Sequence, residues 1–458
     1  MTKILFLTVG TGNKEDLDKS LFAPLRLSMK DGDFDIFVLL PSQKTYQNAD
    51  FVANDFKDKS FIEPLPVEGY EDDADKCFEH FNRVIEEYKQ KYDCNIEDIN
   101  VDITRGTKVM SAALYSAGLR HGVYKYRYIT SPQRDNVGQV ISGTEHINIF
   151  NADIAIFLAK VDQAKTFLKS YNFSAIETLF SNEKAMPKKY ERAGRYIKQT
   201  AQFYSAWHCL DYERAISCCP NWGEATPVKI LKEELGLGAL IVSQEVMSWI
   251  KELNKEWKPL PDKKDVSCFP TKEDCWIKAK QATRIATDLL ANGRRQVDMG
   301  NYEDAVVRIY RIIEMLGQIY LFNRGYDTAR IDCEDEKVME CIEYWRKNNK
   351  NIPQLKDNKF YEFSRANTAG FIAEFDKEYS QLLFDMMSEE KKNNTNFIIS
   401  DKERNNSVLI HGFTIIGSKD EQSLRGKFDK VEKVLRRLLS DNETYLKLAH
   451  TINSFAER

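Results

Sequence analysis

The first 150 residues alternate between short apolar runs and amphipathic stretches, and this alternation limits the possible folds more than any other feature. Strand-like apolar runs occupy 3–9, 34–40, 99–104 and 125–130, and helix-like spacing occupies 72–92 and 110–119. Strands separated by helices are typical of a parallel sheet with helices packed on its faces. The stretch 139–150 around Gly143 predicts a terminal pair of strands.

From about Asn151 onward the periodicity changes. The segments 154–170, 190–215 and 304–320 carry apolar residues at three- and four-residue spacing, which predicts helices. Strand-like alternation is nearly absent, and proline and charge concentrate at 257–264, the best candidate for a boundary inside this half. We therefore expect an α/β Rossmann-like domain with a parallel sheet at 1–150, a helical connector at 151–280 and an all-α domain at 281–458.

Composition excludes several classes of protein. No apolar run approaches the length that spans a bilayer, and Met1-Thr2-Lys3 leads into an apolar strand without a cleavage-like site. The net charge of −4 argues against a broad polycation that coats nucleic acid. The nine cysteines are scattered without zinc-ligand spacing, which predicts reduced thiols in a cytoplasmic protein.

Two polar loops that contain glycine follow predicted strands: T-V-G-T-G at 8–12 and T-R-G-T-K at 104–108. In an open α/β sheet, ligands bind beyond the carboxyl ends of the strands, where glycine lets the backbone approach them closely. A following helix adds N–H donors for phosphate, and Arg105 and Lys108 add positive charge. Either loop alone could be a tight turn, but the two together favour a ligand site. Neither is a G-x-G-x-x-G or P-loop fingerprint, which argues against nicotinamide enzymes and P-loop NTPases.

A short helix is predicted near the C-terminus, in S-D-K-E-R-N-N-S-V-L-I-H-G-F at 400–413. Ser400 and Glu403 fit a capping box, and Gly412 fits the position after the last turn. Arg404 and His411 are two turns apart on one face, roughly 10 Å along the axis. Taken alone, this pair is better explained as a solvated arginine and a histidine at the negative end of the helix.

The pair T-V-G-T-G and D-I-T-R-G-T-K-V-M resembles the CRISPR-associated Rossmann fold (CARF) domain over residues 1 to about 150. CARF domains bind cyclic oligoadenylates made by type III CRISPR complexes, across the two-fold axis of a homodimer. Carried over position by position, the resemblance implies one set of ligand-lining residues from each loop: Thr8, Gly10, Thr11 and Gly12 from the first, and Asp102, Arg105, Gly106, Thr107, Lys108 and Met110 from the second.

The stretch R-N-N-S-V-L-I-H-G is similar to the R-x(4–6)-H motif of HEPN ribonucleases. This resemblance implies an endoribonuclease that needs no metal or other cofactor and cleaves single-stranded RNA at a site shared by the homodimer. Arg404 would hold the phosphoryl oxygens, His411 would move a proton, and Asn405 would orient the arginine or the phosphate. The products would be a 5′-hydroxyl and a 2′,3′-cyclic phosphate or 3′-phosphate. Both resemblances together predict a cytoplasmic antiviral nuclease activated allosterically by cyclic oligoadenylate.

Alternatives from other classes stay open at this point. The protein could be a CARF sensor that regulates transcription, a scaffold without catalysis, or a metal-dependent nuclease that uses Glu256-Trp257-Lys258. Glu314 could orient Arg404 or form an ion pair elsewhere. The basic stretch 425–437 is interrupted by acidic residues, which is more typical of a solvated helix face than of an RNA groove. The size of the ring, the RNA preference and the role of 151–280 are not encoded in any motif.

Overall fold

The computed structural model describes residues 2–133, 144–182, 186–220, 225–256, 269–387, 416–439 and 443–456. The chain forms two compact units. The first comprises Met1–Asp162 and Asn182–Gly194, and the second comprises Gln163–Ser181 and Arg195–Arg458. The predicted division into three domains, at 150 and 280, stays a prediction.

The first unit is built on a six-stranded sheet with the order β3-β2-β1-β4-β5-β6. The strands from β1 to β5 pair in parallel, and β6 pairs antiparallel with β5. The strands are β1 (Ile4–Val9), β2 (Ile36–Pro41), β3 (Ser60–Ile62), β4 (Ile99–Asp102), β5 (Lys125–Thr130) and β6 (His146–Asn151). The predicted parallel sheet is confirmed, and of the predicted terminal strand pair the described residues contain β6.

Helices cover both faces of this sheet, so β1 and β2 are buried at every position. Alternate residues of β1 face two separate cores: Ile4 and Phe6 pack with one pair of helices, and Leu5 and Leu7 pack with the other. The four helices are α1 (Ala23–Lys30), α2 (Tyr46–Ala53), α3 (Ala74–Lys91) and α4 (Lys108–Arg120). The sequence predicted α3 and α4 but not α1, α2 or β3.

The second unit is mainly helical. Its core lies around three long helices: α11 (Lys272–Asp298), α12 (Tyr302–Phe322) and α16 (Glu421–Leu438). Gly293 of α11 allows close packing against Phe428 of α16. The other described helices that follow α4, in chain order, are α5 (Asp153–Lys169), α6 (Phe173–Leu179), α7 (Glu191–His208), α8 (Tyr212–Cys218), α9 (Ala225–Glu233), α10 (Gln244–Glu256), α13 (Glu336–Lys347), α14 (Arg365–Ile372), α15 (Lys377–Met387) and α17 (Glu443–Ala449). The unit boundary falls within α5 and within α7.

Two expectations for this half need correction. The half is not entirely α-helical, because it contains a small antiparallel sheet of β7 (Ile331–Asp332), β8 (Leu355–Lys356) and β9 (Phe360–Tyr361). Two-residue strands are too short to show alternation. The helix predicted over 190–215 is in fact α7 and α8, because the chain turns at Leu210, which has a positive φ of 63°.

The sequence also predicted reduced cysteines and the absence of a membrane-spanning segment, and both expectations can be compared with the described residues. Every cysteine within the described ranges is a free thiol. In the same part of the chain, none of the helices combines the length and the apolar character that crossing a membrane requires.

Candidate ligand site and candidate active site

The two predicted loops lie at the point where the sheet reverses its winding. From β1 the chain continues to β2 and β3 on one side, and it returns to β4 on the other side of β1. Because β1 and β4 are parallel neighbours, with Leu7 opposite Asp102, the loops that leave their carboxyl ends emerge side by side. A crevice forms at such a switch point, and ligands of doubly wound sheets bind there.

Glycines allow these loops to touch. A Cβ atom on Gly10 would lie 3.3 Å from the Gly106 Cα, and one on Gly106 would lie 2.8 Å from the Thr8 Cβ. Gly12 has a left-handed φ of 63°, and a side chain there would meet Leu21 at 2.9 Å. The structure therefore brings Thr8, Gly10 and Gly106 together and explains why positions 10 and 106 need glycine.

Two polar atoms at this junction are buried and have no hydrogen-bond partner among the described residues. They are the hydroxyl oxygen of Thr8, a residue with 0% exposure, and the Nε of Arg105. Burial lowers the pKa of Arg105, and the carboxylates of Asp102 and Glu145 partly oppose this effect. A buried hydroxyl and a buried cationic donor without partners are unfavourable in the unliganded protein. Both groups are therefore suited to a ligand that carries acceptor oxygens or negative charge.

Asp102 has partners inside the protein. Its Oδ1 accepts hydrogen bonds from the Thr104 backbone N, at 2.8 Å, and from the Thr104 hydroxyl, while its Oδ2 accepts one from the Ser28 hydroxyl. These bonds shape the loop after β4. The predicted direct contact of Asp102 with a ligand stays a prediction, and its observed contacts assign it a supporting role.

Thr107 and Met110 also have structural roles. The Thr107 hydroxyl caps α4 by accepting from the Met110 backbone N at 3.0 Å, and it donates to the Glu71 carbonyl at 2.7 Å. The Met110 side chain lies in the core, with 1% exposure. By contrast, Thr11 and Lys108 are exposed beside the loop junction. Lys108 is the first residue of α4, so its ammonium and the N–H groups of that helix end stand at the same edge.

One ion pair near this edge was missed by sequence reasoning. Lys44, which follows the carboxyl end of β2, donates to the Glu71 Oε1 at 3.0 Å, and the Gly69 N–H donates to Oε2 at 2.8 Å. Backbone hydrogen bonds and this lysine hold the pKa of the buried Glu71 below its ordinary value. The location of Lys44 immediately after a strand could have marked it, but its partner lies 27 residues away in the sequence.

The predicted catalytic residues Arg404, Asn405 and His411 lie in 388–415, outside the described residues. Glu314 of α12 is described, and it accepts a hydrogen bond from Arg311 at 2.6 Å. This ion pair within one helix is the alternative that the sequence left open for Glu314. In the described ranges, no three His, Cys, Asp or Glu side chains come together as metal ligands would.

A buried polar cluster ties α11 to its neighbours in the second unit. Asp288 is fully buried and accepts hydrogen bonds from the Trp207 indole at 2.9 Å and from the Tyr212 hydroxyl at 2.7 Å. Burial raises the pKa of Asp288. About two turns further along α11, the Nε of Arg295 donates a hydrogen bond to the His208 ring at 3.3 Å. The fully satisfied carboxylate indicates a role in the packing of this unit.

Comparisons with known proteins extend this description. Residues 276–438 match the family model described as the Csm6 HEPN domain. Among solved structures, one similar to this chain is Enterococcus italicus Csm6 bound to cyclic hexa-2′-fluoro-hexa-dAMP, with 13% sequence identity, a TM-score of 0.59 and coverage of 100% of both chains. No curated protein matches the sequence.

These findings decide several of the predictions. The fold class is confirmed, apart from the small sheet of β7, β8 and β9, and the family model supports the HEPN part of the resemblance. A HEPN domain of this family is an endoribonuclease domain, so the predicted enzyme class is confirmed as well. The assignments of individual ligand-lining and catalytic residues stay predictions.

Proposed function

We propose that this protein is a single-stranded-RNA endonuclease of type III CRISPR defence, which a cyclic oligoadenylate activates by binding at the β1–β4 loop junction. The match of 276–438 to the Csm6 HEPN domain carries this proposal. A similar fold is seen in a Csm6 protein that binds a cyclic hexa-adenylate analogue, and this supports the choice of activator. We further propose that the protein acts as a homodimer in the cytoplasm.

The loop junction supports the binding of a cyclic nucleotide through its chemistry. Arg105 and the exposed Lys108 offer positive charge to phosphates, and the Thr8 hydroxyl offers a donor. Within the described part of the chain, neither the Arg105 Nε nor the Thr8 hydroxyl has a hydrogen-bond partner. Gly10 and Gly106 let the two loops pack directly against each other, so the groups of both loops lie at one junction. Thr107 shapes this site through its cap, so Lys108→Ala is the cleaner test of ligand binding.

The proposed cleavage uses the nucleophile that RNA itself carries. His411 would take the proton from the ribose 2′-hydroxyl or give one to the departing 5′-oxygen, and Arg404 would stabilise the charge on the phosphoryl oxygens. The ribose oxygen would attack the adjacent phosphorus and the bond to the 5′-oxygen would break. This leaves a 2′,3′-cyclic phosphate and a 5′-hydroxyl, and no step requires a metal.

The catalytic assignment is tested by cleavage of a labelled single-stranded RNA in EDTA, with activator present. We expect wild type to cleave it, with 2′,3′-cyclic phosphate or 3′-phosphate ends, and Arg404→Ala/His411→Ala to be inactive while retaining affinity for the cyclic nucleotide. Cleavage that is lost in EDTA and restored by a divalent cation would contradict the metal-free mechanism. Full activity in the double variant would show that the catalytic residues lie elsewhere.

A further inference from the structure

The second unit contains an apolar cavity with a cationic rim, formed by α12, α15 and α16. The cavity has a volume of about 320 Å³, within the range of roughly 300–1,000 Å³ for small-molecule sites. Its apolar walls come from Ile309 and Ile313 of α12, Leu382 and Met386 of α15, and Val431 and Val434 of α16.

Four cations line the same cavity, and all belong to α16: Lys427, Lys430, Lys433 and Arg437. Lys430 and Lys433 are exposed, and no ion pair holds either of them within the described part of the chain. Arg437 reaches Glu378 at 3.2 Å through a pair in which both side chains are largely exposed, so this contact is weak. One acid, Asp385, also lines the cavity. The rim therefore carries net positive charge.

The acidic residues of α16 are turned away from this cavity. Asp429 and Glu432 accept hydrogen bonds from Arg294 of α11 at 2.8 and 2.7 Å, and Glu432 also pairs with Arg436. In the sequence the two signs alternate, which suggested a neutral solvated face. In the helix they separate, with the acids neutralised against α11 and the lysines left on the side of the cavity.

We propose that this cavity is a subsite for single-stranded RNA, in which the apolar walls receive one base and the lysine rim holds the flanking phosphates. Proteins that bind single strands combine a positively charged groove with side chains, commonly aromatic, against which the bases pack. The described lining contains no aromatic ring, so we expect aliphatic contacts that discriminate weakly between bases. The inference rests on the proposed ribonuclease function, and it locates part of the RNA-binding surface.

The subsite belongs to the unit that contains the predicted catalytic stretch. Its wall helix α15 ends at Met387, and the residues that include Arg404 and His411 follow directly in the sequence. An RNA that is held by α15 and α16 would therefore be bound by elements that flank this stretch along the chain.

Binding can be measured separately from cleavage by using a fluorescent single-stranded RNA that is 2′-O-methylated and so lacks the nucleophile. We expect Lys430→Glu/Lys433→Glu to weaken this binding at least about tenfold at low salt. The slope of log affinity against log salt should also lose about 1.4 units of magnitude, about 0.7 for each lost phosphate contact on a single strand. Lys447→Glu is the matched control, because Lys447 is an exposed lysine of the same unit that does not line the cavity. It should bind RNA nearly as wild type does.

A second variant tests the apolar part. Val434→Phe places a larger side chain in the cavity and should weaken binding several-fold without changing the salt slope. Circular dichroism melting shows whether each variant is folded. If Val434→Phe does not fold, the double lysine variant still tests the proposal, because Lys430 and Lys433 are exposed.

Each result decides between the possible occupants. Unchanged RNA affinity in the double lysine variant overturns the subsite, and so does an equal loss in Lys447→Glu. If wild type cleaves ordinary RNA while the lysine variant binds as wild type does, only the subsite is wrong. If wild type neither binds nor cleaves RNA, the proposed function falls with it. A change of oligomeric state at unchanged RNA affinity would make this face a contact between copies of the chain, which also overturns the proposal.

Discussion

The substitution Thr8→Val tests two effects of the Thr8 hydroxyl separately: its effect on the stability of the unliganded protein and its effect on ligand binding. The Thr8 hydroxyl is completely buried, and none of the residues that the structure describes forms a hydrogen bond with it. A buried polar group in this condition costs about 1–3 kcal/mol, and valine has nearly the same shape without the hydroxyl. The unliganded variant should therefore be more stable than wild type by about 1 kcal/mol or more, a reversal of the usual effect of core substitutions.

The same substitution should weaken binding of the cyclic oligoadenylate. If the hydroxyl bonds to the ligand, its loss leaves a polar group of the ligand unpaired at a cost of about 1–3 kcal/mol, or roughly 5- to 150-fold in affinity. Urea unfolding measures the first effect, and isothermal titration calorimetry with the cyclic nucleotide measures the second.

Thr45→Val is the matched control. Thr45 is equally buried in the same unit, but its hydroxyl accepts from the Ser42 N at 2.9 Å and donates to the Val9 carbonyl at 2.8 Å. This variant should therefore lose stability. If Thr8→Val is destabilised like the control, or binds the ligand with wild-type affinity, the ligand role of the Thr8 hydroxyl is refuted.

Three further predictions concern packing and protonation. Gly106→Ala should weaken or abolish ligand binding in calorimetry and lower stability by about 1–3 kcal/mol, because its methyl group would lie 2.8 Å from the Thr8 Cβ; wild-type affinity would contradict the close contact. Burial lowers the pKa of His208 to about 4, so the folded protein binds fewer protons than the unfolded chain between about pH 6.5 and that value. Stability should therefore fall as pH drops through this window, and His208→Gln should flatten the fall in urea midpoints; an unchanged profile would contradict this. Asp288→Ala leaves an indole and a phenol donor unpaired, at about 1–3 kcal/mol each, whereas Asp288→Asn keeps one acceptor and should lose less in urea unfolding; equal stability of both variants with wild type would exclude the proposed packing role.

The general architecture could be predicted because its signals are local. The apolar run of β1 and the glycines after it reveal a buried strand and a turn within ten residues. Features that depend on short elements were missed, as with the three residues of β3 and the two-residue strands of the second unit. The turn between β8 and β9 did leave a signal, because Asp357 and Asn358 both have positive φ and this pair of residue types favours such a hairpin.

The candidate site shows where sequence reasoning ends. Glycine and basic residues marked the two loops. The sequence does not show which threonine hydroxyl forms hydrogen bonds within the protein and which one can bind a ligand. The Thr107 hydroxyl caps α4, whereas the Thr8 hydroxyl has no partner in the described ranges. The charges of α16 were also not predictable from the sequence. Glu432 faces Arg294 of α11 and Lys430 faces the cavity, and this separation depends on which helices pack against α16.

The most direct test of the central claim is the rate at which wild-type protein cleaves single-stranded RNA in EDTA, with and without cyclic tetra-adenylate or cyclic hexa-adenylate. We predict that one of the rings raises the rate at least about tenfold, which corresponds to a coupling free energy of about 1.4 kcal/mol or more. Lys108→Ala should lose this activation while remaining folded. Equal rates with and without either ring, in a wild-type protein that binds the ring, would contradict the claim that the ligand site controls the nuclease.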